Sequence, residues 1–212
     1  VGRKDKLAEL NGRILDSNNV QWIYGDAGIG KTAFIQNYIA TYCRENFESP
    51  FDIAFFIDAK DLTFSEAICR LNTYADPFEN FSGIKLNDGE ESPLGEIFRS
   101  AENAKPQLFK SWALRIIEHL NTYQGPGGIL IIFDNVDKSN FLCDDQIDWI
   151  LGIAQARRRI KFCVTSRISP ACDDHVSVFD LPNLTGNDAL CILNEKRTIR
   201  NEDSAAQEIV AL

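Results

Sequence analysis

Gly25, Gly28, Gly30, Lys31 and Thr32 stand in the run Gly25-Asp26-Ala27-Gly28-Ile29-Gly30-Lys31-Thr32, which fits the pattern GxxxxGK[ST] of a P-loop. These residue types suit a polyphosphate. Several negative charges in a small volume call for many N–H groups close by, and glycines without a Cβ let the backbone curl toward them. A helix starting near Gly30 adds unpaired N–H groups and about half a positive charge at its end. Lys31 has the reach for the β and γ phosphates of a nucleoside triphosphate, and the Thr32 hydroxyl suits Mg²⁺. Asp26, Ala27, Ile29 and Ala33 complete this candidate nucleotide-binding segment. The alternative is a glycine-rich turn with an exposed lysine. The flanks favour the first reading: apolar residues 20–24 precede the turn, and Phe34, Ile35, Tyr38 and Ile39 follow at helical spacing.

Two more segments carry candidate chemistry. The fully apolar run Ile129 to Phe133 ends in Asp134. A carboxylate there can hold Mg²⁺ beside Thr32, directly or through water, as in a Walker B motif; a capping or turn aspartate is the alternative. Many ATPases of this type carry an acid next, to polarise the attacking water. This chain has Asn135, whose amide orients water but cannot take its proton, and Asp137 approaches only if the turn brings it round. Slow hydrolysis is the expectation. Arg167 follows the strand-like residues 160–165 and Ser166. A guanidinium there can grip a γ-phosphate by paired hydrogen bonds and separate ATP from ADP, or it can serve a structural salt bridge. Asp134, Asn135 and Arg167 are the candidate catalytic residues, and Thr32 and Asp134 the candidate metal ligands.

These residues need elements to position them. Strands are expected at residues 20–24, 52–58, 129–134, 160–165 and 176–179. The run 52–58 is apolar almost throughout, as for a parallel strand covered on both faces. Helices are expected up to Leu15, from the P-loop to about Asn46, over 63–74 with Thr63 or Ser65 as cap, over 106–123 opened by Pro106, over 144–157, and after Leu184. Residues 76–104 read as an acidic, loop-rich insertion with a short helix near 94–101, or as a partner-docking surface. Strands alternating with helices imply a parallel α/β sheet with right-handed crossovers. Ligands of such sheets bind at the carboxyl ends of the strands, where Gly25, Asp134 and Arg167 all fall.

Composition narrows the classes. In 212 residues, 44% hydrophobic and 25% charged, the formal net charge of -9 argues against broad electrostatic binding to nucleic acid or anionic membrane. No apolar run approaches a membrane span, and Val1-Gly2-Arg3-Lys4-Asp5 shows no signal-peptide core. The six cysteines form no C-x-x-C pair, so free thiols in a reducing cytoplasm are expected. Arg157-Arg158-Arg159 reads as a solvated helix end or a nucleic-acid patch. The absence of Met and an uncapped helical end at residues 201–212 suggest a domain excised from a longer protein.

Gly25 to Thr32, Ile129 to Asp137, Phe162-Cys163-Val164-Thr165-Ser166-Arg167 and Phe179-Asp180-Leu181-Pro182-Asn183-Leu184, in this order and spacing, resemble the NB-ARC class of STAND ATPases. These are the nucleotide switches of NOD-like receptors, plant resistance proteins and apoptosome proteins. Val1-Gly2-Arg3 resembles the family's start, whose backbone contacts adenine, and the Thr-Ser-Arg end resembles its sensor arginine. The resemblance implies a three-layer P-loop NTPase fold with a five-stranded parallel sheet in order 5-1-4-3-2 and helices on both faces. It implies one nucleotide-binding domain over 1–212: an adenine-contacting segment and helix at 1–19, a core at 20–181, and the start of a helical region at 182–212. ATP or ADP with Mg²⁺ is the implied ligand. The implied function is an ATP/ADP switch, with slow hydrolysis, that controls activation and oligomerisation of a larger signalling or immune-type receptor. Its partners are further domains of the same chain and, in the ATP state, other copies, without direct nucleic-acid or membrane binding. A housekeeping P-loop ATPase or small-molecule kinase, and a nucleotide-locked scaffold, are the competing readings. Asn135 departs from the acid common in plant and animal members, and the closing proline and histidine of the next subdomains are absent from this stretch.

Overall fold

The computed structural model describes residues 3–17, 20–43, 50–71, 113–118, 120–122, 125–143, 150–152, 154, 160–171, 175–184 and 186. Val1, Gly2, the insertion expected at 76–104, the arginines at 157–159 and the helical region expected after residue 186 lie outside them. Five strands form one sheet: β1 (Val20–Tyr24), β2 (Phe51–Asp58), β3 (Gly128–Val136), β4 (Ile160–Ser166) and β5 (Val176–Asp180). All pairings are parallel and the order is β2-β3-β4-β1-β5. This is the expected 5-1-4-3-2 arrangement, with β4 between the strand that feeds the P-loop and the strand that carries Asp134.

Side-chain alternation along each strand builds two cores, one on each face of the sheet. Ile129, Ile131 and Phe133 of β3 join α3 (Phe64–Cys69) and the helical residues 113–118 and 150–152. Leu130 and Ile132 face the other way, to α1 (Lys4–Asp16) and α2 (Lys31–Tyr42), which contribute Leu7, Leu10, Ile14, Phe34, Ile35 and Tyr38. The three layers are thus helices, sheet, helices. Four aromatic rings lock the first face below the carboxyl edge: Phe133 lies 5.4 Å from Phe64, 5.4 Å from Phe141 and 6.2 Å from Phe162, centroid to centroid.

Two local readings are corrected. The second face of β2 is only partly covered: Ile53, Phe55 and Ile57 are buried, while Ala54 and Phe56 are half-buried where they pack against the second core. β2 ends the sheet, beside β3 and away from β1 and β4, the strands that α1 and α2 contact. β3 does not stop at Asp134. The register shifts after Phe133, Asn135 takes φ 65°, and Val136 rejoins β4 opposite Ser166. Asparagine tolerates this left-handed conformation better than most residues. The helix expected over 63–74 is present as α3, which winds more tightly at Arg70 and Leu71; residues 72–74 lie outside the described residues. Its start is as expected, since Thr63 and Glu66 form a reciprocal capping box.

At the far side of the sheet α1 holds β5. Arg13 donates through Nη1 to the Val178 carbonyl at 3.0 Å and lies 5.2 Å from the Phe179 ring centroid. Among the described residues no helix is long and apolar enough to cross a membrane, and Cys43, Cys69, Cys143 and Cys163 form no disulfide.

Candidate functional site

The turn between β1 and α2 is shaped by its glycines. A Cβ on Gly25 would stand 3.2 Å from the Leu181 carbonyl oxygen and 3.3 Å from Ile29 Cγ2. Gly28 and Gly30 take φ 78° and 90°, values that side chains other than glycine rarely adopt. Gly30 is the N-cap of α2 and supplies no capping side chain, so the first-turn N–H groups of Lys31, Thr32 and Ala33 are open to an anion. Asp26, Ala27 and Gly28 are exposed at the rim, and Ile29 is half-buried.

Lys31 curls back over the turn. Its Nζ donates to the Gly25 carbonyl at 2.7 Å and to the Asp26 carbonyl at 2.8 Å. Burial lowers the Lys31 pKa first, and the Arg167 charge lowers it further, against Asp134 and Asp26. Arg167 therefore stands near enough for its charge to be felt at the P-loop lysine. It is exposed, directly after β4, and among the described residues it forms no ion pair. Its backbone exit is fixed by Ser166, whose Oγ donates to the Val136 carbonyl at 2.7 Å and accepts from the Ile168 N–H at 3.0 Å.

Asp134 is buried, 6% exposed, and it is the centre of a proton-ordered chain. Thr32 Oγ1 donates to it, 2.9 Å from Oδ2 and 3.1 Å from Oδ1. Thr165 Oγ1 donates to Oδ1 and accepts from the Asn135 N–H at 3.0 Å. Two hard oxygens from Thr32 and Asp134, about 3 Å apart, match the edge of an octahedron whose ligands lie about 2.1 Å from Mg²⁺. The donor set therefore fits that ion, with phosphate and water oxygens left to complete it.

Thus P-loop, Asp134 and Arg167 meet at one carboxyl edge, as the sequence implied. Asp137 does not join them. Its Oδ1 accepts from the Asp61 N–H at 3.2 Å, and Lys138 Nζ donates to the Asp61 carbonyl at 2.6 Å, so this turn leans toward the loop after β2. Two contributors escaped the sequence reading. One is Thr165, a residue whose β-branched side chain fits any strand. The other is the Arg3 side chain, expected to matter only for its backbone: its guanidinium donates to the Ile29 carbonyl at 3.1 Å and the Pro182 carbonyl at 2.6 Å, and so ties the P-loop to the exit of β5.

Residues 11–167 match the family described as Nephrocystin 3, N-terminal. The chain belongs to that family. No curated protein matches the sequence. Among solved structures, this nephrocystin 3 N-terminal family member is similar to a STAND protein with a tetratricopeptide repeat sensor from Pyrococcus horikoshii, at 21% identity and TM-score 0.51, over 100% of this chain and 27% of that one. It is also similar to a Walker-type ATPase of Pyrococcus abyssi, at 12% identity and TM-score 0.60, over 99% of this chain and 62% of that one. A third likeness, at 12% identity and TM-score 0.51, covers 100% of this chain and 72% of a chain in the Escherichia coli MS115-1 HORMA:CdnC:Trip13 complex. At such identities the likeness is one of fold, and the fold is that of P-loop ATPases. The family member spans about a quarter of the STAND protein and under two thirds of the Walker-type ATPase.

Proposed function

We propose that the chain binds ATP and ADP with Mg²⁺ and acts as the nucleotide switch of a longer signalling or immune-type receptor, hydrolysing ATP slowly. The observation that carries this reading is the meeting of Lys31, Thr32, Asp134 and Arg167 at one edge of the sheet. The open N–H groups at the start of α2 and the Lys31 ammonium hold the phosphates. Thr32 and Asp134 would hold Mg²⁺, which would neutralise phosphate charge when bound. Val1, Gly2 and the Arg3 backbone face the adenine in this reading. Asn135 orients water but leaves its proton in place, which keeps turnover slow and lets the ATP state persist. A switch also needs differential affinity: ATP must favour the open form by on the order of 5.5 kcal/mol for a full swing, since equal affinity shifts nothing. Mass spectrometry of nucleotide released from the purified full-length protein is expected to find ADP or ATP in near-equal ratio to protein; steady turnover with no retained nucleotide would favour a housekeeping ATPase or kinase instead.

Arg167 is the residue of this reading that separates the two ligands. Arg167→Ala is expected to weaken ATP more than ADP by about 1.5–3 kcal/mol, the range for hydrogen bonds to charged groups. Calorimetric titration with each nucleotide reads the gap, and equal losses would make Arg167 a structural residue.

A further inference from the structure

We infer that Asp58, at the end of β2, is the group that takes the proton from the attacking water when ATP is hydrolysed. The inference rests on the nucleotide-binding reading above and supplies what Asn135 lacks. Asp58 is the register partner of Asp134 on the neighbouring strand, and adjacent strands lie about 4.8 Å apart. The two side chains share a face. Ile57 and Phe133, one residue earlier on each strand, both belong to the core beneath α3, so Asp58 and Asp134 emerge on the opposite face, where Thr32 meets Asp134.

Direction decides between the carboxylates nearby. The phosphates begin in the turn after β1, and Thr32 and Asp134 mark the γ end at β3. The phosphate chain therefore crosses the edge from β1 toward β3, over β4. In-line attack approaches the γ-phosphorus from the side opposite the bridging oxygen, which is the side of β2. Asp58 is the carboxylate that β2 itself carries to that end of the sheet. It is exposed, and its Oδ1 accepts from the Lys60 N–H at 3.2 Å, which holds the carboxylate while Oδ2 has no partner among the described residues. Asp137 is committed to the Asp61 N–H, and Asp134 to Thr32 and Thr165.

In the step, the water oxygen bonds to the γ-phosphorus as the bond from that phosphorus to the bridging oxygen breaks. ADP leaves with that electron pair. One water proton passes to Asp58 and from there to solvent; the other stays on the phosphate.

Single-turnover hydrolysis in the full-length protein tests this, beside calorimetric binding of ADP, ATP with Mg²⁺, and ADP with aluminium fluoride, which mimics the transferring phosphoryl group. Asp58→Asn is expected to bind ADP and ATP within about twofold of the parent, which also shows that it folds. It should slow hydrolysis about 100-fold or more, the low end of general acid–base catalysis, and lose the extra affinity for ADP with aluminium fluoride. Asn135→Asp placed on Asp58→Asn should restore part of the rate. Parental hydrolysis in Asp58→Asn overturns the inference. So does an altered Mg²⁺ dependence of ATP binding, which would make Asp58 a metal ligand, and so does a parent that binds ATP but hydrolyses none. A parent that binds no nucleotide overturns the proposed function itself.

Discussion

Lys31→Ala is expected to remove most of the affinity for both ATP and ADP. The ammonium lies over the turn, engaged by two backbone carbonyls at 2.7 and 2.8 Å. A phosphate entering the turn exchanges those neutral acceptors for charged ones, and charge-assisted bonds are about twice as strong. Losing one partner of such a desolvated pair costs about 2–5 kcal/mol, or roughly 30- to 5,000-fold in Kd. ATP and ADP should both suffer, because the Lys31 ammonium reaches the β-phosphate that the two share, whereas Arg167→Ala should separate them. Stability should change little, since the two carbonyls it releases lie at the partly solvated rim of the turn. Calorimetry that finds parental affinity would remove the basis of the P-loop assignment.

Phe133→Ala is expected to cost about 3–5 kcal/mol of folding stability, the range for deleting a buried aromatic ring. Phe133 is fully buried and in contact distance of Phe64, Phe141 and Phe162. These rings come from α3, from the turn after β3 and from β4, so the cavity cannot close without moving three segments. For a chain of this size the thermal midpoint should fall by about 6–20 °C. Phe133→Leu, which keeps most of the volume, should fall much less. A midpoint unchanged by Phe133→Ala would mean that the four rings do not act as one packed unit. Because Asp134 is the next residue, the Ala variant should also bind Mg²⁺–ATP more weakly.

The sheet was readable because its strands announce themselves by apolar runs, and each was located to within two residues. What escaped detection depended on partners distant in sequence. Nothing local in Phe133-Asp134-Asn135-Val136 says that the strand resumes after Asn135; that follows from Thr165, thirty-one residues past Asp134, whose hydroxyl takes the Asn135 N–H and gives its own proton to the carboxylate. The half-covered face of β2 could not be read from Phe55-Phe56-Ile57 either, because apolar composition looks the same in a central strand and an end strand. The P-loop itself was legible residue by residue, since its pattern is set by backbone geometry that only glycine supplies. The guanidinium of Arg3 was not, because its two carbonyl acceptors, on Ile29 and Pro182, lie at opposite ends of the core.

The grip of α1 on β5 bears on how copies of this protein can meet. The bonds from Val20 N–H to the His175 carbonyl and from Leu181 N–H to the Tyr24 carbonyl turn alternate residues of β5 toward β1. Val178 falls between them, so its carbonyl points outward, to the margin where a strand from another molecule could be added. Arg13 already occupies that carbonyl, and an arriving strand would have to displace a cation and forgo one rung of its ladder. Growth of the sheet by strand addition from molecule to molecule is therefore obstructed on this side, and any ordered assembly that passes through α1 and β5 must join by side-chain surfaces.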